Sequence, residues 1–282
     1  MSKTRLIVAL GIALSSLLTA APEKPLAFKP DRVIEYKQPE GKALSLHVFL
    51  PPDWKATDSR PAVVFFFGGA WVGGKPSQFY PQAAHFAQRG MVGISAEYRT
   101  KGSHHTSPKE CVEDGKSAIR WIRVHAAELG IDPQRIAVGG GSAGGHVAAA
   151  STFCPGFDAT GEDLTISTRA NALVLFNPVF DNGPDGGWNQ GAVKDYWKQI
   201  SPAHNISKPV PPTTVFLGTK DKLIPVSTAE RFKKKIEETG GRCDLHLYQD
   251  GEHGFFNKEP FFTKTIDEAD AFLVSLGWLE KR

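Results

Sequence analysis

Cysteine is scarce in this chain: Cys111, Cys154 and Cys243 are the only three, and no C-x-x-C spacing occurs. That excludes a cysteine-rich metal centre and a disulfide-stapled scaffold. One disulfide with a thiol left over stays open, but the sequence names no pair, and packing in a core is the default expectation for all three. No lysine-arginine run or basic stripe is present and the formal net charge is only +3, so nothing points to nucleic acid. Internal repeats, low-complexity tracts and long Pro/Gly/Ser linkers are also missing. The apolar run from Leu6 to Leu18 falls short of the roughly 20 residues that span a bilayer. It follows Lys3 and Arg5 and precedes Thr19, Ala20, Ala21 and a proline. This is the layout of a secretory signal peptide, residues 1–21, and predicts a secreted or periplasmic protein with no stable membrane insertion after cleavage.

What remains, residues 22–282, is expected to form one soluble domain: 41% of the chain is hydrophobic and 22% charged. VIEYKQ and LSLHVFL read as an opening antiparallel strand pair, turning at Pro39-Glu40-Gly41. Continuous apolar runs follow, AVVFFFGG, MVGISAEYR, RIAVGG, ALVLFNPV, TTVFLGT and CDLHLYQ, as expected of strands buried on both faces. Between them lie helical segments at Pro81 to Arg89, Ser107 to Gly130, Ala143 to Thr152, Val226 to Gly240 and finally 264–279. Alternation of this kind implies an α/β fold, a mostly parallel sheet with helices on both faces and its ligand site beyond the carboxyl ends of the strands.

The stretch RIAVGGGSAGG can be read in two frames. Gly139, Gly141 and Gly144 spell G-x-G-x-x-G, a dinucleotide-binding turn; Gly140, Ser142 and Gly144 spell G-x-S-x-G, a turn that exposes a nucleophilic serine. The first frame needs an acidic residue about 20 positions on, at the end of a strand. Glu162 meets the count, but the intervening TFCPGFDATGEDL contains no strand. The second frame needs a base within reach of Ser142 and an acid to orient that base. Asp221 follows TTVFLGT and His253 follows CDLHLYQ, each just beyond a late strand. Asp181 and Asp185 are weaker rivals for the acid. His104, His105, His146 and His246 are expected to be structural or surface side chains. Acyl transfer also needs oxyanion donors: the N–H of Ala143, after the nucleophile, and N–H groups of the glycine loop at Gly68 and Gly69.

FGGAW at 67–71, GGSAGG at 140–145, GTKD at 218–221 and GEHGF at 251–255 resemble the hormone-sensitive-lipase-like branch of the α/β-hydrolases, which includes bacterial acetyl esterases and xylan or feruloyl esterases. The resemblance implies Ser142 as nucleophile, His253 as general base and acid, and Asp221 as its orienting partner. It places the oxyanion hole at Gly69, Ala70 and Ala143, with Gly68 supporting the turn or adding a donor. No metal or organic cofactor is implied. Phe67 and Ala70 stand where the branch often has histidine and a third glycine, and Gly141 where its elbow often has aspartate. A minimal cap is expected between Phe180 and Lys208, with Trp71, Trp188 and Trp197 as candidate substrate contacts. An open site favours short acyl groups on a small-molecule or polysaccharide alcohol, and xylan acetate is the expected substrate. The competing expectations are a prolyl-oligopeptidase-like serine peptidase, which needs a large gating domain, and a non-catalytic binding protein on the same scaffold.

Overall fold

The computed structural model describes residues 28–281; the segment read as a signal peptide lies outside the described residues. The strands are β1 (Arg32–Lys37), β2 (Leu44–Phe49), β3 (Arg60–Phe66), β4 (Val92–Ala96), β5 (Ile131–Gly141), β6 (Ala172–Phe176), β7 (Thr213–Gly218) and β8 (Cys243–Tyr248). They form one sheet in the order β1-β2-β4-β3-β5-β6-β7-β8. β2 runs antiparallel to both β1 and β4, and the other neighbours are parallel.

Alternate side chains leave a strand on opposite faces, so a strand covered on both sides is apolar throughout. In β3, Val64 and Phe66 enter one core while Val63 and Phe65 enter the other, and all four are fully buried. The first face is covered by α3 (Pro108–Val124), α4 (Ala143–Phe153) and α7 (Val226–Glu238). The second is covered by α1 (Tyr80–Gln88) and α8 (Phe261–Ser275). No described helix is long and apolar enough to cross a membrane.

Two helices differ from the sequence expectation at their ends. α3 starts where expected, with the Ser107 N–H donating to Glu110, but stops at Val124. A 3-10 turn over Ala127–Leu129 carries the chain to Gly130, which closes it at φ 64°. α8 begins at Phe261 and ends at Ser275, short of the left-handed Gly277. All three cysteines are free and buried. Burial raises each thiol pKa, to about 12 for Cys243, and they pack as small apolar groups.

Residues 178–211 hold two short helices, α5 (Gln190–Val193) and α6 (Trp197–Ile200), after α2 (Lys101–His104) earlier in the chain. Val193 and Ile200 pack on Val112 and Ala150 of α3 and α4. Phe180 also packs on Phe232 of α7, so the insertion is a thin layer against three helices, and only its Trp188 reaches the cavity described next.

Candidate active site

Ser142 stands between β5 and α4 at φ 54° and ψ −119°, a conformation that costs a non-glycine residue about 1–3 kcal/mol. Backbone bonds hold it there: its N–H donates to the Phe176 carbonyl at 3.0 Å, and its carbonyl accepts from His146 and Val179. The turn brings α4 against β3 so closely that a Cβ on Gly144 would lie 2.1 Å from the Phe66 carbonyl oxygen. The glycines of RIAVGGGSAGG therefore serve close packing around a half-buried serine that faces the cavity. Glu162, the residue that would have held a ribose, pairs instead with Arg120 at 2.7 Å.

Asp221 and His253 come from the loops after β7 and β8. These loops touch at Gly218 and Gly251, where a Cβ on Gly218 would sit 2.1 Å from the Gly251 carbonyl oxygen. Across that contact, His253 Nδ1 lies 2.8 Å from Asp221 Oδ2, and His253 Nε2 lies 2.9 Å from Ser142 Oγ. The Asp221 side chain is wholly buried. Its other oxygen accepts the N–H groups of Leu223 and Ile224 at 2.8 and 2.9 Å, which compensate the buried charge. With a carboxylate at Nδ1, the proton belongs there, and Nε2 is left to accept from the serine hydroxyl.

A cavity of about 600 Å³ opens over Ser142 and His253. Gly69 (φ 130°) and Ala70 (φ 57°) form its glycine-loop wall. The N–H groups of Gly69, Ala70 and Ala143 have no acceptor within the described residues, as an oxyanion hole requires. Gly68 is a correction: its N–H donates to Gln78 Oε1 at 2.7 Å, so it supports the turn and offers no donor to a ligand.

Of the three tryptophans, Trp188 lines the cavity. Trp71 is only 2% exposed, packed edge-on to His146 and tilted against Trp188, and so cannot stack on a substrate. Trp197 lies away from the cavity, against His204. The rival acids and bases are engaged elsewhere. Asp181 accepts from Gly183 N–H, and His146 is buried with Nε2 donating to the Ile200 carbonyl at 3.0 Å. His246 stacks on Phe216. Sequence reasoning missed Gln78, Asn177, Leu223, Phe256 and Asn257, which also line the cavity. Asn177 carried a usable signal, standing directly after the apolar run of β6 at the carboxyl edge.

Fold and site together define an α/β-hydrolase, and comparison with known proteins places the chain within that superfamily. Residues 46–176 match the BD-FAE family model and residues 169–281 that of the dienelactone hydrolase family. Among solved structures, esterase 2 of Thermogutta terrifontis with propionate bound is 43% identical, with a TM-score of 0.85 over 89% of this chain and 96% of that one. The form of that esterase phosphorylated by paraoxon is also 43% identical, with a TM-score of 0.84. LipM of Mycobacterium tuberculosis is 30% identical over 70% of this chain, and esterase LipQ of the same organism 28% over 78%. The chain spans about half the length of these curated relatives, 50% of LipM and 56% of LipQ. The chain belongs to the hormone-sensitive-lipase-like esterases of the α/β-hydrolase superfamily.

Proposed function

We propose that the protein is an exported serine carboxylic-ester hydrolase for short acyl groups, acting on acetylated carbohydrate such as xylan. The observation that carries the hydrolase reading is the continuous contact of Ser142, His253 and Asp221 beside three N–H groups with no acceptor among the described residues. His253 Nε2 takes the Ser142 proton as Oγ attacks the ester carbonyl, and the oxyanion forms against the N–H groups of Gly69, Ala70 and Ala143. Collapse returns that proton to the alkoxy oxygen, the alcohol leaves, and an acyl-serine remains. Water, deprotonated by the same imidazole, attacks the acyl-serine; carboxylic acid departs and Ser142 regains its proton. Asp221 stays ionised and stabilises the imidazolium in both halves.

Forms of the Thermogutta esterase with propionate and with butyrate bound favour short acyl groups. The carbohydrate alcohol rests on the thin cap and on Trp188, an aromatic face beside the nucleophile. Export rests on the charged and apolar order of residues 1–21. Fluorophosphonate labelling that disappears in Ser142→Ala is the first test; labelling retained in the variant refutes the nucleophile. p-Nitrophenyl esters of rising chain length, acetylated xylan, feruloylated arabinoxylan and a dipeptide amide then divide the substrates. Faster turnover of long-chain esters than of acetate refutes the short-acyl reading, and amide cleavage alone favours a peptidase.

A further inference from the structure

Three carboxamides in the cavity wall form a strap that the acyl-transfer scheme leaves unused. The Gly68 N–H donates to Gln78 Oε1 at 2.7 Å, and Gln78 Nε2 donates to Asn257 Oδ1 at 3.3 Å. Asn257 Nδ2 donates to the Gly254 carbonyl at 2.9 Å, and the Gly254 N–H donates to Asn177 Oδ1 at 3.0 Å. Asn177 is anchored in turn, its own N–H bonded to the Phe216 carbonyl on β7 at 2.7 Å. The series runs without a break from the glycine loop to the residue after His253. Each amide has its oxygen facing a donor, and turning any one of them over would set like ends together.

The strap answers a geometric problem. The glycine loop follows β3 and the histidine loop follows β8, and three strands, β5, β6 and β7, separate them in the sheet. Both are irregular: Ala70 and Trp71 have φ near 60°, and Asp250 and Gly254 flank His253 at φ 62° and 81°. Sheet register therefore does not by itself set the spacing between oxyanion donors and imidazole. A misplacement of about 1 Å between such groups costs on the order of a hundredfold in rate. Gln78 and Asn257 join the two loops directly, across 179 residues of sequence. We infer that Gln78 and Asn257 are positioning residues that hold the oxyanion turn in register with His253. The inference rests on the esterase reading above, because register between these loops matters only if both act on one carbonyl.

The test compares wild type, Asn257→Ala, Gln78→Glu, Gln78→Met and the Gln78→Met/Asn257→Ala double variant, measuring kcat, KM and thermal midpoint with p-nitrophenyl acetate. Gln78→Glu is nearly isosteric and keeps the acceptor for Gly68, but turns a carboxylate oxygen toward Asn257 Oδ1, so it breaks the cross-cavity link; it also adds a negative charge near the oxyanion donors, an effect that uncharged Asn257→Ala does not share. Asn257→Ala and Gln78→Glu are each expected to lower kcat about tenfold with KM within about twofold of wild type. The double variant is expected to fall no further than the weaker single variant, because both remove one link. The kcat of Gln78→Glu relative to wild type should also recover below about pH 5, where protonation of the introduced carboxylate restores a donor toward Asn257. A Gln78→Glu enzyme as active as wild type at pH 7, losses that multiply in the double variant, or effects confined to KM would each overturn the strap. An inactive wild type would instead overturn the esterase reading, and is seen before any variant is compared.

Discussion

Ser142 holds a strained backbone, φ 54° and ψ −119°, at the position proposed for the nucleophile. Ser142→Ala is expected to lower kcat by on the order of 10⁶-fold while leaving circular dichroism and thermal midpoint close to wild type. Asp221→Asn tests a different term. The amide can still accept from Leu223 and Ile224, but it no longer offers a carboxylate to Nδ1, and the imidazole loses the tautomer the reaction needs. A fall in kcat of on the order of 10³–10⁴-fold with KM little changed is expected in steady-state assays. That these side chains meet was readable from chain order, because Ser142, Asp221 and His253 each stood directly after an apolar run. Gly68 was misread as a donor because the side chain that captures its N–H, Gln78, lies beyond the loop in a segment with no pattern of its own.

Elements here are specified by their boundaries more than by their interiors. Helix α4 has buried residues on every side, and nothing in its apolar, small-residue composition distinguishes a face. What fits it to β3 is the absence of a side chain at Gly144. Gly144→Ala would place a Cβ 2.1 Å from one carbonyl oxygen and 2.3 Å from the next, so helix and strand must part. A loss of about 2–3 kcal/mol in urea unfolding is expected, with activity falling alongside. The end of α3 shows the opposite limit: Ala126 and Leu129 continued the helical spacing past Val124, but both are buried from a 3-10 turn that leads into β5. Periodicity counts apolar positions and cannot tell the last helical turn from a tighter one with the same residues inside.

Over the whole molecule, stability depends on charges placed where water is excluded. The Asp114 side chain is fully buried, bonded to Arg99 Nε at 2.8 Å and to Lys37 Nζ at 2.7 Å. Asp114→Ala would leave Arg99 and Lys37 to share Glu113, at 2.7 and 2.8 Å, and an unfolding penalty of about 1–3 kcal/mol is expected in chemical denaturation. His146, beneath the cap, works in the other direction. Burial lowers its pKa to about 4, although its bond to the Ile200 carbonyl opposes the shift. Between the unfolded value near 6.5 and about 4, the unfolded chain binds a proton that the native chain refuses. The contribution of His146 to stability is therefore complete above pH 6.5 and falls by up to about 3 kcal/mol as pH drops to 4. Denaturation midpoints measured across that window should fall less steeply in His146→Gln than in wild type, the difference being the His146 contribution.

The sequence alone determined the order of strands and helices, the burial of the sheet on both faces and the positions of Ser142, Asp221 and His253 along the chain. These are local matters: apolar runs, glycine at turns, and polar residues just past strand ends. It could not determine which of Trp71, Trp188 and Trp197 lines the cavity, because all three are aromatic residues outside the long helices and strands and only packing separates them. Trp71 is buried against His146 and Trp188, and Trp197 rests on His204, which leaves Trp188 at the cavity. The same holds for Gln78 and Asn257, whose bond exists only once assembly of the sheet brings the loops after β3 and β8 to the same edge. Contacts between residues so far apart in sequence follow from the summed geometry of the fold, and no local pattern encodes them.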